Sequence, residues 1–170
     1  YSFVDATFQD NFVVTSPNHP IWDADPTNAR LVDLDGDNIL DSDADGIQVR
    51  GGDRIPGIPQ HTLKMGGDYY FNDALSIGLD MVYNSDQYFR GDEANLDGTV
   101  DGFVVFNLRA RYTLNDHVSF YGRVDNLLNN DYESFGLYGE PDEVDGFEAF
   151  TNPRFLGSGA PTGIWLGMKV

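Results

Sequence analysis

The chain has no cysteine, and it sets only 10 Lys and Arg against 28 Asp and Glu, for a formal net charge of -18. Without thiols there is no disulfide framework and no thiolate metal site. So few cations cannot attract a phosphate backbone, which removes nucleic acid as a partner class and leaves cations and neutral or cationic solutes. Long apolar runs are missing too. No stretch reaches the roughly eighteen uninterrupted apolar residues of a membrane helix, and the first residues lack the charged-then-apolar order of a signal peptide. Tyr1 stands where a methionine would open a primary translation product, as expected of a processed or excised piece. Helical periodicity is equally scarce.

Aromatics and glycine are plentiful, and period-two alternation recurs along the chain, which together point to strands and turns. The clearest run is "FVVFNLRARYTL" at 103–114. Val104, Phe106, Leu108, Ala110, Tyr112 and Leu114 share one parity, and Asn107, Arg109, Arg111 and Thr113 the other. Residues 62–71, 75–83, 118–125 and 163–170 divide in the same way, and 2–12 does so more weakly. About six strands are therefore expected. The turns at Asn72-Asp73-Ala74 and Asn115-Asp116 are short, whereas the connections at 15–59, 90–102 and 129–161 are long.

Two architectures produce alternating strands. A soluble β-sandwich has strands of about five or six residues and similar loops at both ends. An outer-membrane barrel has strands of about ten residues, short turns on one side and long loops on the other. Strand length and loop asymmetry favour an all-β, antiparallel transmembrane β-barrel segment. Tyr69, Phe71 and Tyr112 near the short turns, with Tyr83 and Phe106 near the long loops, would form its two interfacial aromatic girdles. Six strands are fewer than the minimum of about eight for a closed membrane barrel, so a larger barrel is implied.

The segments "GDRIPGIPQHTLKMGGDY" (52–69), "GDEANLDG" (91–98), "VVFNLRARY" (104–112), "VDNLLNNDYESFGLYG" (124–139) and "NPRFLGSGAPTGIWLGMKV" (152–170) resemble the C-terminal barrel region of TonB-dependent outer-membrane receptors. The resemblance implies that residues 1–170 are the last part of a barrel of about 22 strands, plugged by an N-terminal domain. Such a barrel imports a scarce solute with energy delivered through TonB. The partners implied are outer-membrane lipid, the TonB complex through the plug, the barrel-assembly machinery and a small-molecule ligand such as a siderophore, cobalamin or carbohydrate. The location implied is the outer membrane of a Gram-negative bacterium.

Within the long extracellular loop at 15–59, "DLDGDNILDSDADG" (33–46) places six aspartates in fourteen residues. Calcium takes about six to eight oxygens, and D-x-D-x-D loops supply them from alternate positions, with Gly or Asn turning the chain at the sixth. One register uses Asp33, Asp35, Asp37 and Asp41, with Asn38 at position six and the Ile39 carbonyl at seven. The other begins at Asp41 and continues through Asp43 and Asp45 to Gly46. Both lack the bidentate acid at position twelve, which is Ala44 or Gly52. A solvated acidic loop and a structural Ca2+ site both remain open.

Lys64, Arg109, Arg111 and Arg123, with Asp68, Asp80 and Asp125, are expected to form a charge network on the polar side of the strands. His19, His61 and His117 have no zinc spacing. Ser158 lies in no Gly-x-Ser-x-Gly turn, and Asp142 and Glu143 lie in a loop without an apolar pocket, so no catalytic residues and no enzyme activity are expected. The alternative function is a secreted calcium-binding β-sandwich used in adhesion.

Overall fold

The computed structural model describes residues 1–170. The first strands are β1 (Ser2–Phe3), β2 (Phe12–Val14), β3 (Leu31–Val32) and β4 (Gly46–Val49), with a four-residue helix α1 (Ile21–Ala24) ahead of β3. Then come β5 (His61–Tyr70), β6 (Leu75–Asn84), β7 (Gln87–Tyr88), β8 (Thr99–Val100) and β9 (Phe103–Thr113). β10 (Ser119–Asp125), β11 (Glu133–Tyr138), β12 (Arg154–Ser158) and β13 (Gly163–Lys169) follow.

Six strands form one antiparallel wall in the order β1-β5-β6-β9-β10-β13. Its short turns are set by asparagine side chains that replace missing backbone acceptors. Asn72 Oδ1 accepts from the Ala74 and Leu75 N–H groups at 2.9 and 2.8 Å. Asn115 Oδ1 does the same for His117 and Val118, both at 2.9 Å. These turns fix the register, and a one-residue slip would invert every side chain.

The register that results puts all the apolar parities on one side. Leu63, Met65 and Tyr69 pair with Tyr83, Met81 and Ile77. These continue to Val104, Phe106 and Ala110, then to Gly122, which lies opposite Leu166. This face is open: Leu166 is 86% and Ile164 69% exposed. A soluble sandwich would bury it beneath a second sheet, and none covers it. Tyr69 and Phe71 meet edge to face at 4.8 Å beside one short turn, and Tyr112 and Phe120 pair across β9 and β10 beside the other.

The first run behaves differently from its weak alternation. Only Ser2–Phe3 joins the wall, against Thr62 and His61. The chain then leaves the sheet, because Phe8 N–H donates to the Asp53 carbonyl and Gly52 N–H to the Phe8 carbonyl, at 2.9 and 2.8 Å. Those bonds commit it to the outer loops, where Phe12–Val14 pairs with β4.

The long connections form a folded layer at one end of the wall. β2, β4 and β3 make a small sheet, β7 pairs with β8, and β11 with β12. Ile21, Leu31, Ile47 and Val49 of the first connection bury together with Ala94 of the second. Phe8, Val14, Trp22 and Leu96 close over them. The wall itself contributes only Val105 and Ser119 among its long strands' polar and large apolar buried residues, so the compact core sits in the loops.

Candidate functional site

On the polar face of the wall, Arg109 joins three strands. Its Nε and Nη2 donate to the two Asp68 oxygens, both at 3.0 Å, and its Nη1 binds Asp80. Gly78 lies between Asp68 and Arg109 in the register, and a Cβ there would run into both side chains. A Cβ on Gly66 would run into Asp80. Two glycines thus leave the room that a three-membered ion cluster needs. Of the other charges expected in this network, Arg123 pairs with Asp125 on its own strand, while Lys64 and Arg111 enter no ion pair. The register sets this division, since Arg111 lies opposite Ser76 and Tyr121, neither of which is charged.

At the loop end there are three polar clamps, the first closing the 15–59 connection on itself and the other two tying different connections together. Arg30 holds Asp53 through two hydrogen bonds of 2.8 and 3.1 Å. Burial pushes the Asp53 carboxyl up, and the Arg30 guanidinium with the Arg50 N–H outweighs it and holds the group below its ordinary range. Asp92 is fully buried and accepts from the N–H groups of Leu96 and Asp97 at 2.7 and 3.0 Å. His19, 73 residues away, meets Asp92 Oδ1 through Nε2 at 3.1 Å. Because His19 Nδ1 accepts the Ile21 N–H at 3.0 Å, the ring hydrogen sits on Nε2 and points at Asp92.

The third clamp joins the second and third connections. Arg154 Nε and Nη2 donate to Asp97 at 2.7 and 2.6 Å, and the Tyr138 hydroxyl donates to the same carboxylate at 2.8 Å. Burial raises the Asp97 carboxyl, yet Arg154, the Gly98 N–H and Tyr138 together hold it below the usual carboxylate range. Burial, and then the neighbouring Asp92 and Asp97 charges, push the Tyr138 hydroxyl well up, which keeps it a donor.

The acidic stretch divides into two groups. Asp33, Asp35 and Asp37 converge, with ligand atoms within 4.8 Å of one another. Asn38 takes the left-handed conformation (φ 65°) at the sixth position. Asp33 also accepts the Gly36 and Asn38 N–H groups at 2.6 and 3.0 Å. Asp41 and Asp43 lie outside the convergent group, and Asp41 Oδ1 caps the Asp43 and Ala44 N–H groups. Asp45 turns inward: it is 1% exposed and accepts from Leu34 and Asp41 N–H at 2.7 and 3.0 Å, bracing the two ends of the loop.

Between α1 and the segment 139–154 lies a cleft of about 610 Å³, walled by Trp22 and Phe150 and carrying Asp23, Glu140, Asp142 and Arg154. Each of its sides comes from a different long connection.

A protein-family model for the TonB-dependent receptor-like β-barrel matches residues 5–127, nearly three quarters of the chain. The chain belongs to this TonB-dependent receptor family. Solved receptors share the architecture. The siderophore receptor PiuA from Acinetobacter baumannii is 18% identical with a TM-score of 0.54, over 69% of this chain and 14% of PiuA. The ferric citrate transporter FecA, in its unliganded form, is 18% identical with a TM-score of 0.51, over 89% of this chain and 22% of FecA. The ferripyoverdine receptor of the outer membrane of Pseudomonas aeruginosa is 17% identical with a TM-score of 0.50, over 72% and 16%. The chain thus spans about a fifth or less of these receptors' length. No curated protein matches it.

In a TonB-dependent barrel the apolar face of the wall meets lipid, the Arg109 face lines the lumen, and the folded loops stand outside. Sequence reasoning located the acidic stretch and the lumen charges but missed His19, Asp92, Asp97, Tyr138 and Arg154. The signal was faint, since Asp92 and Asp97 flank "EANL" without any periodicity that marks them as buried.

Proposed function

We propose that the chain forms wall and outer loops of an outer-membrane receptor that captures a scarce solute outside the cell and imports it with energy from TonB. The observation that carries this reading is the continuous, uncovered apolar face of the wall below a layer of loops clamped to one another. A lipid-facing wall needs the first, and a capture surface held in one arrangement needs the second. The energised step would be coupled through a plug domain and the TonB complex, and insertion would use the barrel-assembly machinery. The solute belongs to the siderophore, cobalamin or carbohydrate class. The test is uptake by cells carrying the full-length receptor, with and without TonB, together with electrophoresis of unheated samples in detergent. Loss of uptake without TonB and fast migration before heating are expected. A product that is soluble without detergent and migrates as one band would overturn the reading.

We further propose that Asp33, Asp35 and Asp37 hold a Ca2+ ion that orders the outer loop. The convergence of the first three carboxylates and the turn at Asn38 support this. Asp41 and Asp43 lie outside that group, and Asp45 serves the loop backbone. The role would be structural, since the ion would neutralise carboxylates that otherwise repel one another.

A further inference from the structure

We propose that the cleft between α1 and the 139–154 segment is a capture subsite for an organic cation, a solute bearing an ammonium or amidinium group on an apolar body. The inference rests on the reading of these loops as the outer surface of a receptor, and it adds the ligand's charge. The cleft is large enough for a small organic solute, at about 610 Å³, and its walls are not uniformly acidic. Trp22 forms one side, its indole held in place by an Nε1–H bond to the Ser16 carbonyl at 2.9 Å, and Phe150 forms another.

The charges decide the class. Arg154 is the cleft's one guanidinium; its Nε and Nη2 are both committed to Asp97, and its Nη1 reaches Asn152 Oδ1 at 3.5 Å. His19 gives its Nε2–H to Asp92 and its Nδ1 to a backbone N–H, so it has no capacity left for an anion. Asn18 donates to Glu140 at 3.1 Å and so orients that carboxylate without neutralising it. Asp23 and Asp142 are exposed and have no hydrogen-bond or ion-pair partner. Three uncompensated carboxylates, drawn from two separate connections, therefore face a space with aromatic walls. Ser42 of the acidic stretch also lines the cleft, so the charges of its neighbours Asp41 and Asp43 act on it within a screening length of about 8 Å. An anionic chelate entering here would meet three carboxylates against a single guanidinium already paired with Asp97. A cation would gain both carboxylate contacts and the faces of the rings.

The test uses the full-length receptor in detergent and two probes with a common fluorophore, dansylcadaverine (cationic) and dansylglycine (anionic), followed by emission and anisotropy. The cation is expected to bind, and raising the salt should weaken it. Asp23→Asn with Asp142→Asn should weaken it by about tenfold, at a few-fold per exposed carboxylate. Phe150→Ser, at an exposed position, should weaken it by a further few-fold. Equal binding of both probes, preference for dansylglycine, or cation binding unchanged in the double variant would each overturn the proposal. Heat-dependent migration is read on every variant. If it persists while the cation fails to bind, the subsite is wrong and the receptor reading stands; if it is absent from the unmodified protein, the receptor reading itself has failed.

Discussion

Replacing Arg154 with Met removes the guanidinium but keeps most of the aliphatic stem, so it isolates the clamp between the second and third outer connections. The wild-type side chain makes two charge-assisted hydrogen bonds to Asp97, whose own side chain is only 14% exposed. Breaking a buried pair of this kind costs about 3–5 kcal/mol, because the remaining carboxylate is left uncompensated. Arg154 is 35% exposed, and solvent screening reduces the figure to about 2 kcal/mol. Two kcal/mol multiplies the open population of the loops by about thirtyfold, and local opening is what amide exchange measures. Arg90 N–H donates to the Gly136 carbonyl and Tyr138 N–H to the Arg90 carbonyl at 3.0 and 3.1 Å, bridging the same two connections. Their exchange should accelerate by about that factor in R154M, while the amides of β6 and β9 keep their protection. Unchanged exchange at Arg90 and Tyr138 would refute the clamp.

The same clamp sets a pH response. The folded Asp97 carboxyl lies below its ordinary value of 3.8, so its stabilisation is complete above that pH and is lost as pH falls through the lower, folded value. Asp53 acts in the same direction, so the loops should open on acidification below about pH 4, seen as faster proteolysis of the outer segments. In the acidic stretch, D35N with D37N should abolish any calcium-dependent gain in protease resistance, and D43N should preserve it. Equal digestion of the unmodified protein with and without calcium would remove the ion from the account. Gly78→Val should force Arg109 and Asp68 apart and cost about 1–3 kcal/mol, lowering the temperature at which the barrel loses its fast-migrating form. Leu79 lies midway along β6 on the lipid face, and Leu79→Arg should cost about 2–4 kcal/mol by the same assay. A neutral result there would mean that this face does not meet lipid.

The wall was legible because its rules are local. A period of two separates Leu75, Ile77, Leu79 and Met81 from Ser76, Gly78 and Asp80 whatever the rest of the molecule does, and Asn72 and Asn115 mark turns through bonds to residues two and three positions away. The segment 2–12 misled because its middle residues pair with the loop around Asp53 and its end with β4 rather than with the wall, a choice made by distant backbone partners. The charge network was half legible. Parity places Arg109 and Arg111 on one face, but only the cross-strand register and the space at Gly66 and Gly78 determine that Arg109 receives both aspartates and Arg111 none.

From the sequence by itself came the strand class, the face that meets lipid, the side that carries the long loops and the position of the acidic stretch. All follow from composition and short-range periodicity, which are properties of a chain before it folds. Tertiary structure alone decided that the loops form a packed layer with its own core, because Ala94 meets Ile47 and Val49 only after the connections cross. It decided that Asp45 braces a backbone while Asp33, Asp35 and Asp37 converge. It also set which outer carboxylates are neutralised and which are free, since a charge 57 residues away, Arg154 on Asp97, leaves the cleft it lines negative. Electrostatic balance depends on distance in space, and separation along the chain does not encode it.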